Sequence, residues 1–173
     1  ANTILLNKPL AETFDLISKE GANVFYEGSL ADSIVKSVRK TKLNPGHVTR
    51  DDLASYRVKV RKPVCILYRV YEVCGMGSPS SGGLTVGQIL GILENFDLKE
   101  PVSSLKAAHL FIEASKLAYA DRALYMGDKD FIKVPEKGLI DKRYLLNRAQ
   151  LITDVSSGKA TAGYPKGSEE LLR

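Results

Sequence analysis

The chain has 173 residues, of which 44% are hydrophobic and 26% charged, and its net charge is +5. Leu, Ile, Val and Phe together supply 50 residues, well above the roughly 20% content below which chains tend to stay disordered. Wholesale disorder is therefore excluded, and the length predicts one compact domain. The longest uncharged run, residues 73–93, is broken by six glycines and a proline, so we predict no membrane span. The start of the chain lacks a basic stretch followed by an apolar one, so we expect no targeting peptide.

Helical patterns dominate the first part of the chain. A first helix is predicted after Asn7, a suitable N-terminal cap, and should end at Gly21. Ser29 and Asp32 resemble a capping pair and predict a second helix. Thr49 is a suitable cap for a third, short helix.

From residue 57 the pattern changes to that of strands. Charged residues alternate with valines over residues 57–63, which predicts a strand that ends at its proline. Residues 64–68 and 71–74 then predict a hairpin that turns at Arg69-Val70. This register places Cys65 opposite Cys74 as a non-hydrogen-bonded pair.

The two cysteines have two interpretations. In an oxidising compartment, Cys65 and Cys74 are a candidate disulfide, because a small adjustment brings such a pair to bonding distance. Alternatively, they are two small buried hydrophobic side chains.

The second half returns to helices. We predict one over residues 84–96, a longer one capped by Ser103 and stopped by Gly127, and a last one after Asp141. The apolar period fades after residue 154, so residues 1–154 are expected to form the folded portion and residues 155–173 a flexible tail. About five helices and three short strands give an α+β fold that is mainly helical with a short β-hairpin.

Few residues suggest chemistry. With two histidines and two cysteines there is no zinc-type ligand set, and we expect His47 to be exposed and His109 to be structural. The glycine-rich loop at residues 75–80 lacks the third glycine of a dinucleotide-binding motif.

Three carboxylates are candidates for an acid/base pair, namely Glu113, Asp121 and Asp128. Glu113 and Asp121 are eight residues apart on one predicted helix, so they lie two turns apart along it. The favoured interpretation is a solvated helix face on which Asp121 and Arg122 fix contacts between helices.

Positive charge is concentrated between Lys36 and Arg69, where the sequence has ten Lys and Arg residues and two Asp residues. One interpretation is a non-catalytic module that binds a polyanion. The other is that these side chains lie on solvated faces and discourage strand aggregation. No aromatic stacking platform accompanies the charge, so we favour the second and expect no nucleic-acid partner.

Several ordered motifs resemble the γ-glutamyltranspeptidase family, and the resemblance extends from Leu6 to Ile152. They are FYEGSLA at 25–31, VTRDDLASY at 48–56, SPSSGG at 78–83, EASKLAYADR at 113–122 and GDKDF at 127–131. The family usually has three prolines before the two serines, whereas this chain has Gly77-Ser78-Pro79.

The resemblance implies a four-layer αββα N-terminal nucleophile hydrolase whose precursor cuts itself into a large and a small subunit. This chain is similar to the C-terminal half of the large subunit. The nucleophile of the family is the N-terminal threonine of the small subunit, with its own amine as base, and we expect it beyond Arg173. We therefore assign no catalytic, substrate-binding, cofactor or metal residue to this chain, and we predict that the isolated chain is inactive.

The resemblance also implies partners and an activity for the intact enzyme. It would transfer the γ-glutamyl group of glutathione-like substrates to water or amino acids, without a cofactor. Its partners would be the small subunit and the N-terminal half of the large subunit, in the periplasm or outside the cell. A cephalosporin acylase-like enzyme or a polyglutamate-processing amidase of the same fold is the alternative.

Overall fold

The computed structural model describes residues 3–99, 101 and 104–169. Eight helices and one two-stranded antiparallel sheet occur in the described residues. In chain order the elements are α1 (Lys8–Glu20), α2 (Asn23–Tyr26), α3 (Ser29–Arg39), α4 (Arg50–Ser55), β1 (Val64–Tyr68), β2 (Tyr71–Gly75), α5 (Gly82–Leu93), α6 (Leu105–Tyr125), α7 (Glu136–Leu139) and α8 (Lys142–Ala149). The fold is mostly helical with one hairpin, as the sequence predicted.

The chain divides into two compact units, residues 1–59 and 60–173, where its length predicted one. The first unit holds α1 to α4, and among its described residues the buried hydrophobic ones are Val24 and Ala31. The second holds the hairpin and α5 to α8, together with an extensive hydrophobic core. The two units therefore differ in how much apolar surface each of them buries.

In the first unit, two of the three predicted caps are confirmed. Asn7 accepts a hydrogen bond from the backbone N–H of Leu10 at the start of α1. Thr49 and Asp52 form a reciprocal capping box at the start of α4. The Ser29 prediction is wrong, because Ser29 is already the first residue of α3 and its N-cap is Gly28, which has no side chain to accept a bond.

The apolar face predicted for α1 is present, but the described structure does not bury it. Phe14 is 62% exposed, and none of the residues of α1 is buried. The short helix α2 was not predicted, since four residues carry too little periodicity to be recognised.

The strand predicted over residues 57–63 does not form, so the described chain has two strands instead of three. Val60 is fully exposed, and no other strand pairs with this stretch. The Arg57 side chain instead donates to the backbone carbonyls of Ala54 and Tyr56. An alternating pattern needs a neighbouring strand to satisfy its backbone groups, and the described residues supply none.

The hairpin has the predicted register. Val64 pairs with Gly75, Tyr68 pairs with Tyr71, and the turn lies at Arg69-Val70 with Arg69 at a positive φ of 55°. Cys65 lies opposite Cys74, and the structure joins the two by a disulfide.

The core of the second unit lies between α5, α6 and α8. It contains mainly aliphatic side chains, including Leu84, Ile92, Leu110, Leu117 and Leu145. Gly91 of α5 permits the close approach of α8, because a Cβ there would lie 2.5 Å from Cδ1 of Leu145. The described part of the chain has no helix both long and apolar enough to cross a bilayer.

The boundaries of α6 differ slightly from the prediction. Ser103, the expected cap, lies outside the described residues, and the side chain of Ser104 accepts from the N–H of Ala107. The predicted last helix is α8, which begins directly after Asp141, and the short α7 that precedes it was not predicted. Asp141 caps α8 by accepting from the N–H groups of Arg143 and Tyr144.

Candidate functional site

The candidate site is one polar face of helix α6 and the chain that lies on it. His109, Glu113, Asp121 and Tyr125 fall at multiples of four residues, so they lie along one row of side chains that winds slowly around the helix. Each of them contacts a residue between 153 and 163. We call these four side chains the α6 polar face and residues 153–168 the C-terminal segment.

The contacts at the start of the segment are made by the first two members of the α6 polar face. Nε2 of His109 lies 2.7 Å from the backbone oxygen of Thr153, so His109 is structural, as predicted. Glu113 is 3% exposed and accepts from the hydroxyl of Ser157 at 2.9 Å. Lys116 links α6 to the C-terminal segment, because its ammonium group donates both to Glu113 and to Ser156 at 2.7 Å.

This environment favours the charged form of Glu113. The hydrogen bond from Lys116, helped by Ser157 and Ser156, lowers the pKa of Glu113 from 4.5 to about 2, although burial acts in the opposite direction. The carboxylate therefore stays ionised and holds the segment at neutral pH.

Asp121 lies at the centre of a buried polar cluster. It is completely buried and accepts from the side-chain amide of Gln88 at 2.8 Å and from the hydroxyl of Tyr144 at 2.7 Å. Arg148 of α8 completes the cluster with a contact of 3.2 Å to Oδ1 of Asp121. Buried charges are stable in such a place only when they are paired and hydrogen-bonded, as these are.

The same cluster fixes the backbone of the C-terminal segment. The N–H of Gly163 donates to Oδ1 of Asp121 at 2.8 Å, and its carbonyl accepts from the hydroxyl of Tyr125 at 2.6 Å. Arg148 also donates to the carbonyls of Leu117 and Thr161. Burial raises the pKa of both Tyr125 and Tyr144, and the hydrogen bond to Asp121 adds to the effect at Tyr144.

The C-terminal segment also packs against the rest of the second unit after Gly163. Pro165 and Ser168 are buried, and the hydroxyl of Ser168 donates to the carbonyl of Pro165. A Cβ at Gly138 would lie 2.0 Å from the backbone oxygen of Lys166, so α7 approaches the segment at van der Waals distance. Residues 155–169 contain no helix or strand, and the flexibility expected of residues 155–173 stays a prediction.

The predicted carboxylates do not form an acid/base pair. The oxygens of both carboxylates are already hydrogen-bonded: Glu113 accepts from Lys116 and Ser157, and Asp121 accepts from Gln88, Tyr144 and Gly163. Asp128 lies elsewhere, where it pairs with Arg61 at 3.3 Å. In the favoured interpretation the solvated face is wrong, since Glu113 and Asp121 are buried, but the expectation that Asp121 fixes contacts between helices is confirmed by its bonds to α5 and α8. The partners that bury them come from distant parts of the sequence.

The remaining sequence candidates are His47 and the two cysteines. His47 is exposed, as predicted. Within the described residues, the one group of potential metal ligands is Cys65, Glu72 and Cys74. The disulfide leaves those two cysteines without thiolates to offer.

Three arginines of the basic region form contacts within the chain. Arg50 pairs with Asp32 at 2.6 Å, and Arg57 donates to backbone carbonyls. Arg61 lies 2.9 Å from Asp130 and also contacts Asp128. These contacts reduce the positive charge available to a polyanion.

The serine- and glycine-rich loop after the hairpin is held against α6 and α7. The N–H of Ser78 donates to Glu136, and Arg122 donates to the hydroxyl of Ser81 at 2.8 Å. Gly75 and Gly83 meet backbone to backbone, with only 2.7 Å from a Cβ at Gly75 to the Cα of Gly83. Close backbone contact explains why glycines are needed at these two positions.

A sequence model of the gamma-glutamyltranspeptidase family matches residues 1–170, which includes the whole C-terminal segment. The chain belongs to this family. The glutathione hydrolase proenzyme of Escherichia coli K12 is 41% identical over 159 residues, which cover 91% of this chain.

Solved structures agree with this assignment. The gamma-glutamyltranspeptidase of Helicobacter pylori superposes with a TM-score of 0.74 and 42% identity, covering 90% of this chain and 44% of that protein's chain. A cephalosporin acylase from Bacillus halodurans superposes with a TM-score of 0.70 and 30% identity, covering 83% of this chain and 26% of that one. This chain spans 27%, about a quarter, of the length of the Escherichia coli relative.

Proposed function

We propose that this chain is part of a γ-glutamyl-transferring hydrolase that passes the γ-glutamyl group of glutathione-like substrates to water or amino acids. The observation that carries the proposal is the family match over residues 1–170, together with 41% identity to a glutathione hydrolase proenzyme. The chain supplies packed helices and a hairpin, and its buried polar groups are used to hold backbone.

The reacting groups belong to other parts of the protein in this proposal. The nucleophile is a threonine beyond Arg173, which becomes the N-terminus of a small subunit after self-cleavage, and its own amine takes up the hydroxyl proton. The N-terminal half of the large subunit is the second partner. The relative from Escherichia coli carries the word proenzyme in its name, which supports a precursor of this kind.

The test uses the complete precursor and the isolated 173-residue chain side by side. We expect the precursor to yield two chains, the smaller with an N-terminal threonine, and the pair to hydrolyse a γ-glutamyl anilide. The isolated chain should show no hydrolysis above a buffer control. Hydrolysis by the isolated chain would contradict the proposal, because it would require a nucleophile within residues 1–173.

A related acylase is the second candidate, and the match to a cephalosporin acylase at 30% identity favours keeping it. The two candidates differ in which acyl group the site accepts. The ratio of kcat/KM for a γ-glutamyl anilide to that for an N-acyl cephalosporin separates them. A polyglutamate-processing amidase would instead shorten a γ-linked polyglutamate.

We further propose that the protein works in the periplasm or outside the cell. The disulfide between Cys65 and Cys74 supports this location, because such bonds persist in oxidising compartments and are rare in the cytosol. Cell fractionation of the producing organism tests the location directly.

A further inference from the structure

The point where the C-terminal segment is held most firmly is Gly163. Both of its backbone groups are bonded to side chains of α6, the N–H to Asp121 and the carbonyl to Tyr125. Two residues earlier, Arg148 of α8 holds the carbonyl of Thr161 at 2.8 Å. We call Asp121, Tyr125 and Arg148 the Gly163 clamp.

We propose that the Gly163 clamp is a positioning device that fixes the path of the C-terminal segment and thereby sets the geometry of self-cleavage in the precursor. Tyr125 is its key positioning residue. This inference rests on the proposed function, since it needs a precursor that cleaves itself.

The clamp holds backbone rather than side chains. All three of its members bond to N–H or C=O groups of residues 161–163, so the position of the main chain is set directly. The backbone at Gly163 also lies close to the side chain of Tyr144. A Cβ at that position would lie 2.5 Å from the hydroxyl of Tyr144.

The clamp itself is rigid because its side chains are part of the core. Asp121 is fully buried, and Tyr125 is 2% exposed and belongs to the hydrophobic cluster of the second unit. Hydrogen bonds to an ionised group are stronger than neutral ones, and they strengthen further where water is excluded. The clamp therefore fixes the backbone of residues 161–163 relative to the hydrophobic core.

The chain is also held in place after Gly163. Pro165 and Ser168 are buried, and Gly167 takes a positive φ of 92°, which directs the chain along a defined path. An intramolecular reaction depends steeply on such positioning, and a displacement of about 1 Å can cost on the order of a hundredfold in rate.

The step that the clamp would serve is the hydrolysis of one peptide bond. The threonine hydroxyl adds to the preceding carbonyl carbon, the C–N bond breaks with transfer of the hydroxyl proton to the nitrogen, and an ester forms. Water then hydrolyses the ester, so that the upstream chain gains a carboxyl group and the threonine regains its hydroxyl. No redox partner is required.

The experiment follows self-cleavage of the complete precursor over time by gel densitometry. The main variant is Tyr125→Phe, which removes one hydroxyl and keeps the ring. We expect the half-life of the precursor to lengthen at least about tenfold. Hydrogen exchange in a peptide covering residues 161–168, read by mass spectrometry, should become about fivefold faster, as expected from the loss of one hydrogen bond. Asp121→Asn serves as the second variant and should slow cleavage at least as much.

Two controls separate positioning from loss of stability. Tyr119→Phe removes a phenol hydroxyl on the same helix from a side chain that is 56% exposed. Ile92→Val shortens a fully buried side chain of α5 that is not part of the clamp. Its cleavage rate is compared with that of Tyr125→Phe after the loss of melting temperature of each variant has been measured. We expect both controls to cleave at the wild-type rate with unchanged exchange at residues 161–168.

The outcomes are distinct. If the wild-type precursor cleaves and both Tyr125→Phe and Asp121→Asn cleave as fast as it does, the clamp inference is overturned. The proposed function then remains intact. Slow cleavage in Ile92→Val, in proportion to its melting temperature, also overturns the inference. A wild-type precursor that stays a single chain overturns the proposed function itself.

Discussion

At the scale of single residues, the main surprise is the burial of two carboxylates on α6. Sequence periodicity places Glu113 and Asp121 on one side of a helix but cannot show what covers that side. Their partners, such as Ser157 and Gly163, lie 44 and 42 residues further along the chain. The local signal is a set of polar residues at multiples of four positions along a helix, interrupted by Leu117 and flanked by apolar neighbours.

Glu113 should make the attachment of the C-terminal segment dependent on pH. Its pKa is about 2 in the folded protein and 4.5 ordinarily, so its ionised form stabilises the fold above pH 4.5. That contribution should decrease as the pH falls from about 4.5 toward 2. We expect the protection factor of a peptide covering residues 153–160, that is the intrinsic exchange rate divided by the observed rate at the same pH, to fall over this range in the wild type, measured by mass spectrometry.

In Glu113→Gln the same peptide should be less protected at pH 7, and its protection factor should change little between pH 4.5 and 2. Glu12→Gln is the matched control, because Glu12 is an exposed glutamate of α1 in the other unit. A wild-type profile that is flat across the acid range would contradict the assigned role of Glu113.

At the scale of elements, local signals succeeded where the partner is close in sequence. The hairpin register followed from its turn, and the cap of α4 from the residue type of Thr49. The strand expected over residues 57–63 failed, because its partner would have to come from elsewhere and the described residues contain none. The short helices α2 and α7 were missed, since four residues span barely one helical turn.

The disulfide should stabilise the hairpin and with it the start of α5. In the chain-entropy estimate, closing a loop of this length contributes about 2–3 kcal/mol. We expect the variant Cys65→Ser/Cys74→Ser to lose about this much free energy of unfolding, measured by urea denaturation of the wild type under oxidising conditions and of the variant in the same buffer.

Thiol counting checks the chemistry behind that expectation. Denatured, unreduced wild-type protein should show no reactive thiol, and reduction should release two. Full labelling of both cysteines before reduction would show that the bond does not form in the cell.

At the scale of the whole molecule, the two units bury very different amounts of apolar surface. The first unit leaves Leu5, Leu6 and Phe14 largely exposed, whereas the second assembles thirteen buried residues into one cluster. Hydrophobic burial is the main favourable contribution to folding, and domains of about 60 residues are marginal even when well packed.

The two units should therefore differ in protection within the intact chain. We expect amides of α3 to exchange through openings of lower free energy than those of α5 and α6, measured by native-state hydrogen exchange in dilute urea. In the complete precursor, contacts from the rest of the protein should raise the protection of α3. Equal protection of α3 and α6 in the isolated chain would contradict this expectation.

The four-residue step of the α6 polar face has a consequence for sequence variation. The segment on it must advance by a matching amount between its attachment points at Ser157 and Gly163. If one residue were inserted or deleted between them, the backbone groups could still bond at one of these two attachment points but would face away from the other. Natural and engineered variants should consequently tolerate substitutions at exposed positions of this stretch, such as Lys159, but should conserve its length.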